Sequence, residues 1–373
     1  MDFDLTPEQE AFRQAARAFA EAEVRPVAAR VDADNRFPRE LVRRAAAQGF
    51  TAVRVPAALG GAGRDFVSYA LAIEEIARAS ATLAVILAVG NSLVCDLLQR
   101  AGTPAQRARW LPPIARGEAI GAFALSESHA GTDAANQRTV ATAEAGGGFR
   151  LDGSKVWVSN AEAADVVVVI AATSLRHGER GMTAFLVPLP GEGIEMSPTL
   201  DSLGVRGLGC RDLTFRRAPV DDAAVLGERD EGLREALRAL DGARVAVAAQ
   251  ALGVGDAALS AAIEHATNRQ AFGRPIGRYQ AIQWMLADTA VELDAARLLT
   301  LKAAALHDRQ PRVSLEAAMA KLMASEAAGR AADRTLRILA SAGYRRGADI
   351  YSGTAEVQRM VIAEQILGVR ALQ

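Results

Sequence analysis

Cysteine is scarce in this chain. Its 373 residues hold two, Cys95 and Cys210, far apart and without the spacing of a metal or redox pair. A disulfide framework is therefore excluded, and two reduced thiols in a cytoplasmic protein are expected. An excess of either charge is also missing. Lys and Arg number 43 against 44 Asp and Glu, a formal net charge of −1. Nothing draws the whole chain toward nucleic acid or an anionic membrane. The four histidines, His129, His177, His265 and His307, do not cluster, so no metal site is expected. The longest apolar stretches are interrupted by charge or rich in alanine, so no membrane span is expected. Residues 1–6 show no basic segment leading into an apolar one, and no secretion signal is expected.

What remains is a globular composition, half apolar and 23% charged, in a chain long enough for two or three domains. Thr6, followed by Glu8 and Gln9, marks a helix start. Apolar residues then recur at helical spacing through Phe12, Ala16, Phe19 and Val24. Pro38 opens a second helix, residues 60–63 form a glycine loop, and helix returns over 66–79, 83–98 and 104–116. After about residue 121 the pattern changes to short β-rich runs, at 149–159, 166–172, 182–187, 194–199 and 213–215. From residue 231 helical periodicity resumes over 233–268, 281–308, 315–341 and 355–367. The expected fold is α+β: an N-terminal helical domain over 1–120, a small antiparallel β-barrel or sandwich over 121–228, and a four-helix bundle over 229–373.

That order of elements names no activity; five segments do. The chain reads FALSESHAGTD at 123–133, SKVWVSN at 154–160, LDGAR at 240–244, RQAFGRPIGRYQ at 269–280 and IYSGTAEVQRMVIAEQIL at 350–367. Together with the opening MDFDLTPEQE and the GGAG loop, they resemble the acyl-CoA dehydrogenase family over essentially the whole chain. The likeness is to its short- and branched-chain members. An isoalloxazine ring has hydrogen-bonding edges that backbone groups and small hydroxyls must meet. By this resemblance the FAD-binding residues are Phe123, Leu125, Ser126, Gly131, Thr132, Trp157, Val158 and Ser159. Arg269, Phe272 and Gln280 would reach the FAD diphosphate and adenine side from a neighbouring subunit. Arg337, Thr354 and Glu356 complete the cofactor set. Thr132, Asp241, Arg244 and Gly353 would meet the substrate.

The resemblance implies removal of two hydrogens from the Cα–Cβ bond of an acyl thioester. A carboxylate of raised pKa takes the α-proton in a dry pocket, and FAD accepts the hydride. It implies an acyl-CoA or acyl-carrier-protein thioester as substrate, electron-transfer flavoprotein as acceptor, and a homo-oligomer, a tetramer built as a dimer of dimers.

The chain departs from the family at the base. The Glu that usually precedes the C-terminal Gly-Thr is Ser352 here. The alternative location, on the helix carrying LDGAR, is Ala243. Members usually have Gln-Ile-Leu-Gly-Gly where this chain has Arg337-Ile338-Leu339-Ala340-Ser341. The stretch before Ile350 is shorter by about a dozen residues, roughly three turns at 3.6 residues each. Asp349, Glu356 and Asp241 are the candidate substitute bases. Three readings stay open: a dehydrogenase with an unusual base; a flavoenzyme whose chemistry needs no α-proton base, such as β-elimination or oxygen activation; and a non-catalytic acyl-thioester-binding subunit.

Overall fold

The computed structural model describes residues 4–176, 179–310 and 312–343. Thr6 caps the first helix, α1 (Pro7–Phe19), in a capping box with Gln9, with Pro7 preset for the first turn. Phe12, Ala16 and Phe19 form its buried stripe, and Phe12 and Phe19 pack on Phe50. A π-helical turn, Ala20–Val24, carries α1 into α2 (Arg25–Asp34). Pro38 does precede a helix, α3 (Arg39–Ala47). Then come α4 (Phe66–Ala77), α5 (Ala81–Ala88), a π-helical stretch Val89–Cys95, α6 (Asp96–Ala101) and α7 (Pro104–Ala115).

The strands are β1 (Gly121–Ala124), β2 (Val140–Ala143), β3 (Phe149–Val158), β4 (Val166–Arg176), β5 (Glu179–Pro188), β6 (Ile194–Met196), β7 (Arg211–Val220) and β8 (Val225–Leu226). They follow the order β6–β7–β3–β2–β4–β5–β8, with β1 paired to β4. The expected antiparallel pattern holds for β2–β3, β3–β7, β4–β5, β5–β8 and β6–β7. It fails at β4, which runs parallel to both β1 and β2. The order is open, with no pairing of β6 to β8 among the described residues, so the sheet does not close as a barrel. β1 and β2 lacked a sequence signal because each is four residues long.

Three long helices follow: α8 (Gly232–Asn268), then a small hairpin of β9 (Gln270–Ala271) and β10 (Arg274–Pro275), then α9 (Gln280–His307) and α10 (Ser314–Leu339). The expected fourth helix, 355–367, lies outside the described residues. Small residues on α8 let neighbours approach closely: a Cβ on Gly253 would sit 2.2 Å from the Glu74 carbonyl oxygen of α4. Charge seals the same junction. Arg297 of α9 binds Glu74 at 2.9 Å and Asp256 of α8 at 2.7 Å, and Arg78 reaches Asp256 at 2.9 Å. Burial works against the Arg297 charge, but the two carboxylates outweigh it and raise its pKa above the ordinary value.

Two helical stretches bear on the expectation that no segment spans a membrane. Ala81–Ala101 and Gly232–Asn268 are each long and apolar enough to cross a membrane by length and composition. They differ in burial, and only 39% of the apolar window of the second lies inside the fold. The first is mostly buried, and the second sets Val245, Ala248, Ala249 and Leu252 into the main core.

A single apolar cluster joins all three regions. It contains Val94 and Leu97 from the N-terminal helices, Val168, Ile170 and Ala184 from the sheet, and Ala236 and Ala239 from α8.

Candidate flavin and acyl site

β3 carries the central feature. Its ladder with β7 shifts register twice, between Leu151 and Gly153 and again between Lys155 and Val158. The second shift swings Trp157 outward at φ +59. The indole ends 68% exposed, while Val158 turns into the β core. Asp212 holds the turn: its Oδ1 accepts the Trp157 amide at 3.0 Å. A large apolar ring is thus presented to solvent on a strained backbone, which a protein retains where the ring has a partner to meet.

Trp157 borders two clefts. One, about 190 Å³, is lined by Val89, Leu93, Phe123, Leu125, Ser126, Val156, Trp157, Ser159 and Leu240. The other, about 220 Å³, lies between Trp157, Ser159 and the loop carrying Leu200, Val205 and Cys210. The first has apolar walls from the π-helical stretch and α8, with two serines at its mouth. The Val156 amide donates to the Ser126 carbonyl at 2.9 Å, tying the loop after β1 to β3. A Cβ on Gly131 would meet no atom of this chain, so that face of the loop is open. A flat ring with an apolar body and polar edges fits this arrangement, and so do the residues expected to hold FAD.

Phe123, Leu125, Ser126, Trp157 and Ser159 therefore come together. Thr132 and Gly131 are exposed on the same loop and do not line the cleft. The Val158 side chain is buried away from it. Arg269, Phe272 and Gln280 are exposed at the β9–β10 hairpin and do not line the cleft of their own chain. Arg337 pairs with Asp333 one turn earlier on α10.

Asp241 does not offer a free base. It is 5% exposed, and binds Arg244 at 2.6 Å through Oδ1 and the Ser314 hydroxyl at 2.5 Å through Oδ2. Ala243 packs on the apolar cluster. Ser352, Gly353, Thr354, Glu356 and Asp349 lie outside the described residues.

The structure adds residues that motif reading passed over. Lys155 is fully buried beneath the loop, against Glu127 and Gln137. Asn160, at φ +67, donates to the Ile86 and Gly121 carbonyls at 3.3 and 3.2 Å, joining α5 to β1. Both sit inside the quoted SKVWVSN segment. The signal for Lys155 was phase: like Phe149 and Leu151 it falls on an alternate, buried position of β3 before the slip that turns Val158 inward. Asp212 had no such signal.

Helices, then a sheet, then long helices, with a cleft of apolar walls and serine edges at the sheet's margin, make a site suited to a flat aromatic ring. Family models match along the chain in the same order: the acyl-CoA dehydrogenase N-terminal domain over residues 6–118, the middle domain over 122–218 and the C-terminal domain over 230–367. The chain belongs to the acyl-CoA dehydrogenase family, whose members are FAD enzymes. It is 42% identical to the mitochondrial short-chain specific acyl-CoA dehydrogenase of Bos taurus, over 98% of this chain and 91% of that one. Among solved structures, it matches a chain described with the electron transferring flavoprotein of Acidaminococcus fermentans, at TM-score 0.90 and 35% identity, covering 98% of this chain and all of that one. It also matches a glutaryl-CoA dehydrogenase from Mycobacterium smegmatis in complex with FADH2, at TM-score 0.87 and 26% identity, covering 99% and 97%.

Proposed function

We propose that this protein dehydrogenates short-chain acyl-CoA thioesters at Cα–Cβ with FAD, passes the electrons to electron-transfer flavoprotein, and does so with a displaced proton acceptor. The observation that carries this reading is the cleft shared by Ser126, Trp157 and Leu240. Bound there, FAD supplies the hydride acceptor. Ser126 and Ser159 would bind its polar edge and Trp157 would cover one face. Val89, Leu93 and Leu240 keep water from the acyl chain, which strengthens every polar contact inside. The short-chain relative supports a short acyl group.

Arg269, Phe272 and Gln280 point to assembly as a homotetramer, because they stand away from the cleft of their own chain. Trp284, Val291, Leu298 and Leu322 are large apolar side chains left exposed on α9 and α10, which suits burial between copies. The electron transferring flavoprotein named with one structural relative supports the acceptor.

A second reading is favoured by the state of α8. With Ala243 apolar and Asp241 engaged by Arg244 and Ser314, that helix supplies no proton acceptor to the cleft. Chemistry at the same site that needs no α-proton base is consistent with this. Anaerobic addition of butyryl-CoA to the purified protein tests the choice. Bleaching of the flavin band marks a dehydrogenase, slow in the native protein and faster in Ser352→Glu. General-base help is typically worth about 10²–10⁴ in rate. No bleaching in either protein would reject dehydrogenation.

A further inference from the structure

Lys155 is 0% exposed, and the chain uses lysine sparingly: Lys155, Lys302 and Lys321 are its three among 43 basic residues. Its ammonium donates to the Leu125 carbonyl at 3.0 Å, to Glu127 Oε1 at 2.8 Å and to Gln137 Oε1 at 2.7 Å. Three acceptors around one small cation suit a tetrahedral ammonium better than a planar guanidinium. Glu127 in turn accepts the Arg138 and Thr139 amides at 2.7 and 3.0 Å, and the Thr139 hydroxyl donates to the Ser154 carbonyl. The knot therefore grips both segments that border the cleft: Leu125 and Ser126 on one side, Val156, Trp157 and Ser159 on the other.

Burying an ion pair is a poor route to stability, since desolvation offsets most of the attraction. Such a pair serves better to fix one arrangement. We propose that Lys155 is a positioning residue for the flavin, locking the 125–127 loop against β3 so that Ser126 and Trp157 stand in register to receive it. The inference rests on the FAD reading above. Lys155 does not line the cleft, so it acts through the Leu125 carbonyl and Glu127. Burial pushes its pKa down to about 8 against the pull of Glu127, and both partners are ionised at neutral pH.

The test uses full-length protein stripped of flavin and titrated with FAD, reading Kd from fluorescence quenching and the visible band shape. Lys155→Met alone strands the Glu127 charge, so Lys155→Met/Glu127→Gln, which removes both charges, is the main variant. The expected result is an unfolding midpoint close to wild type, with the FAD Kd raised about tenfold or more and a broadened flavin band. Lys155→Arg should not restore either. Gln137→Ala keeps the ion pair and removes one acceptor. It should show a smaller rise in Kd in a well-folded protein, which keeps the test decisive if the double variant folds badly. A folded double variant, or failing that Gln137→Ala, with wild-type Kd and band shape overturns the proposal. Failure of the wild-type protein itself to bind FAD overturns the cofactor reading instead.

Discussion

The Trp157 amide donates to the Asp212 carboxylate at 3.0 Å across the slip between β3 and β7. This bond holds Trp157 at φ +59, a conformation costly for a bulky residue. Without the carboxylate, Trp157 loses the reason to stand outward. Asp212→Ala should leave the fold intact, weaken FAD binding by about tenfold, and shift the Trp157 emission. Unchanged FAD affinity would show that the ring is held by packing alone.

Arg297 is the second test. It neutralises Glu74 and Asp256 together at the junction of α4, α8 and α9. Removing one member of a buried pair leaves uncompensated charge, at a cost of about 3 kcal/mol or more. Arg297→Met should lower stability by that order in urea unfolding. Adding Glu74→Gln and Asp256→Asn should recover much of it. If the triple variant is no more stable than the single, the effect lies in side-chain packing.

Acid should act through Glu127. Burial tends to raise its pKa, but the bonds from Lys155 and the Arg138 and Thr139 amides outweigh this and hold it below the ordinary 4.5. A carboxylate with a depressed folded pKa adds stability above its unfolded value and loses it as the pH falls through the folded one. The stability gap between wild type and Glu127→Gln should thus be widest near neutrality and shrink below about pH 4.5. Denaturant midpoints at pH 7, 5 and 3.5 give the comparison. A gap that stays constant would mean that the charge on Glu127 is not what matters.

Ala340 ends α10 at φ +49 and ψ −125, a region open to glycine and strained for any residue with a Cβ. Ala340→Gly should stabilise the protein by about 1 kcal/mol. A lower melting temperature would show that the entropy of glycine outweighs the relief.

The long helices were legible because each signal was local. Thr6 with Gln9, and the spacing of Phe12, Ala16 and Phe19, define α1 without reference to anything distant. The strands from β3 to β7 were legible for the same reason, through β-rich runs between turns. β1 and β2 were not. Gly121–Ala124 and Val140–Ala143 are short, and they become strands because β4 offers them an edge. The site divides the same way. Ser126, Trp157 and Ser159 stand in recognisable segments. Asp212 acts on Trp157 from 55 residues away, and nothing near it in the chain says so. Asp241 looked available as a base because its partner Ser314, 73 residues on, appears only once α8 and α10 are packed together.

The apolar cluster shared by Leu97, Ile170 and Ala239 bears on how this chain can be recombined. An exchange of the sheet for that of a relative would carry one face of a three-sided mould, and the other two faces would have to change with it. Chimeras cut at the edges of the sheet should therefore misfold unless residues on α6 and α8 are exchanged as well. The turn at Gly146, Gly147 and Gly148 carries no such obligation. Gly146 and Gly147 are exposed, and a foreign loop inserted between them would leave every wall of the mould untouched.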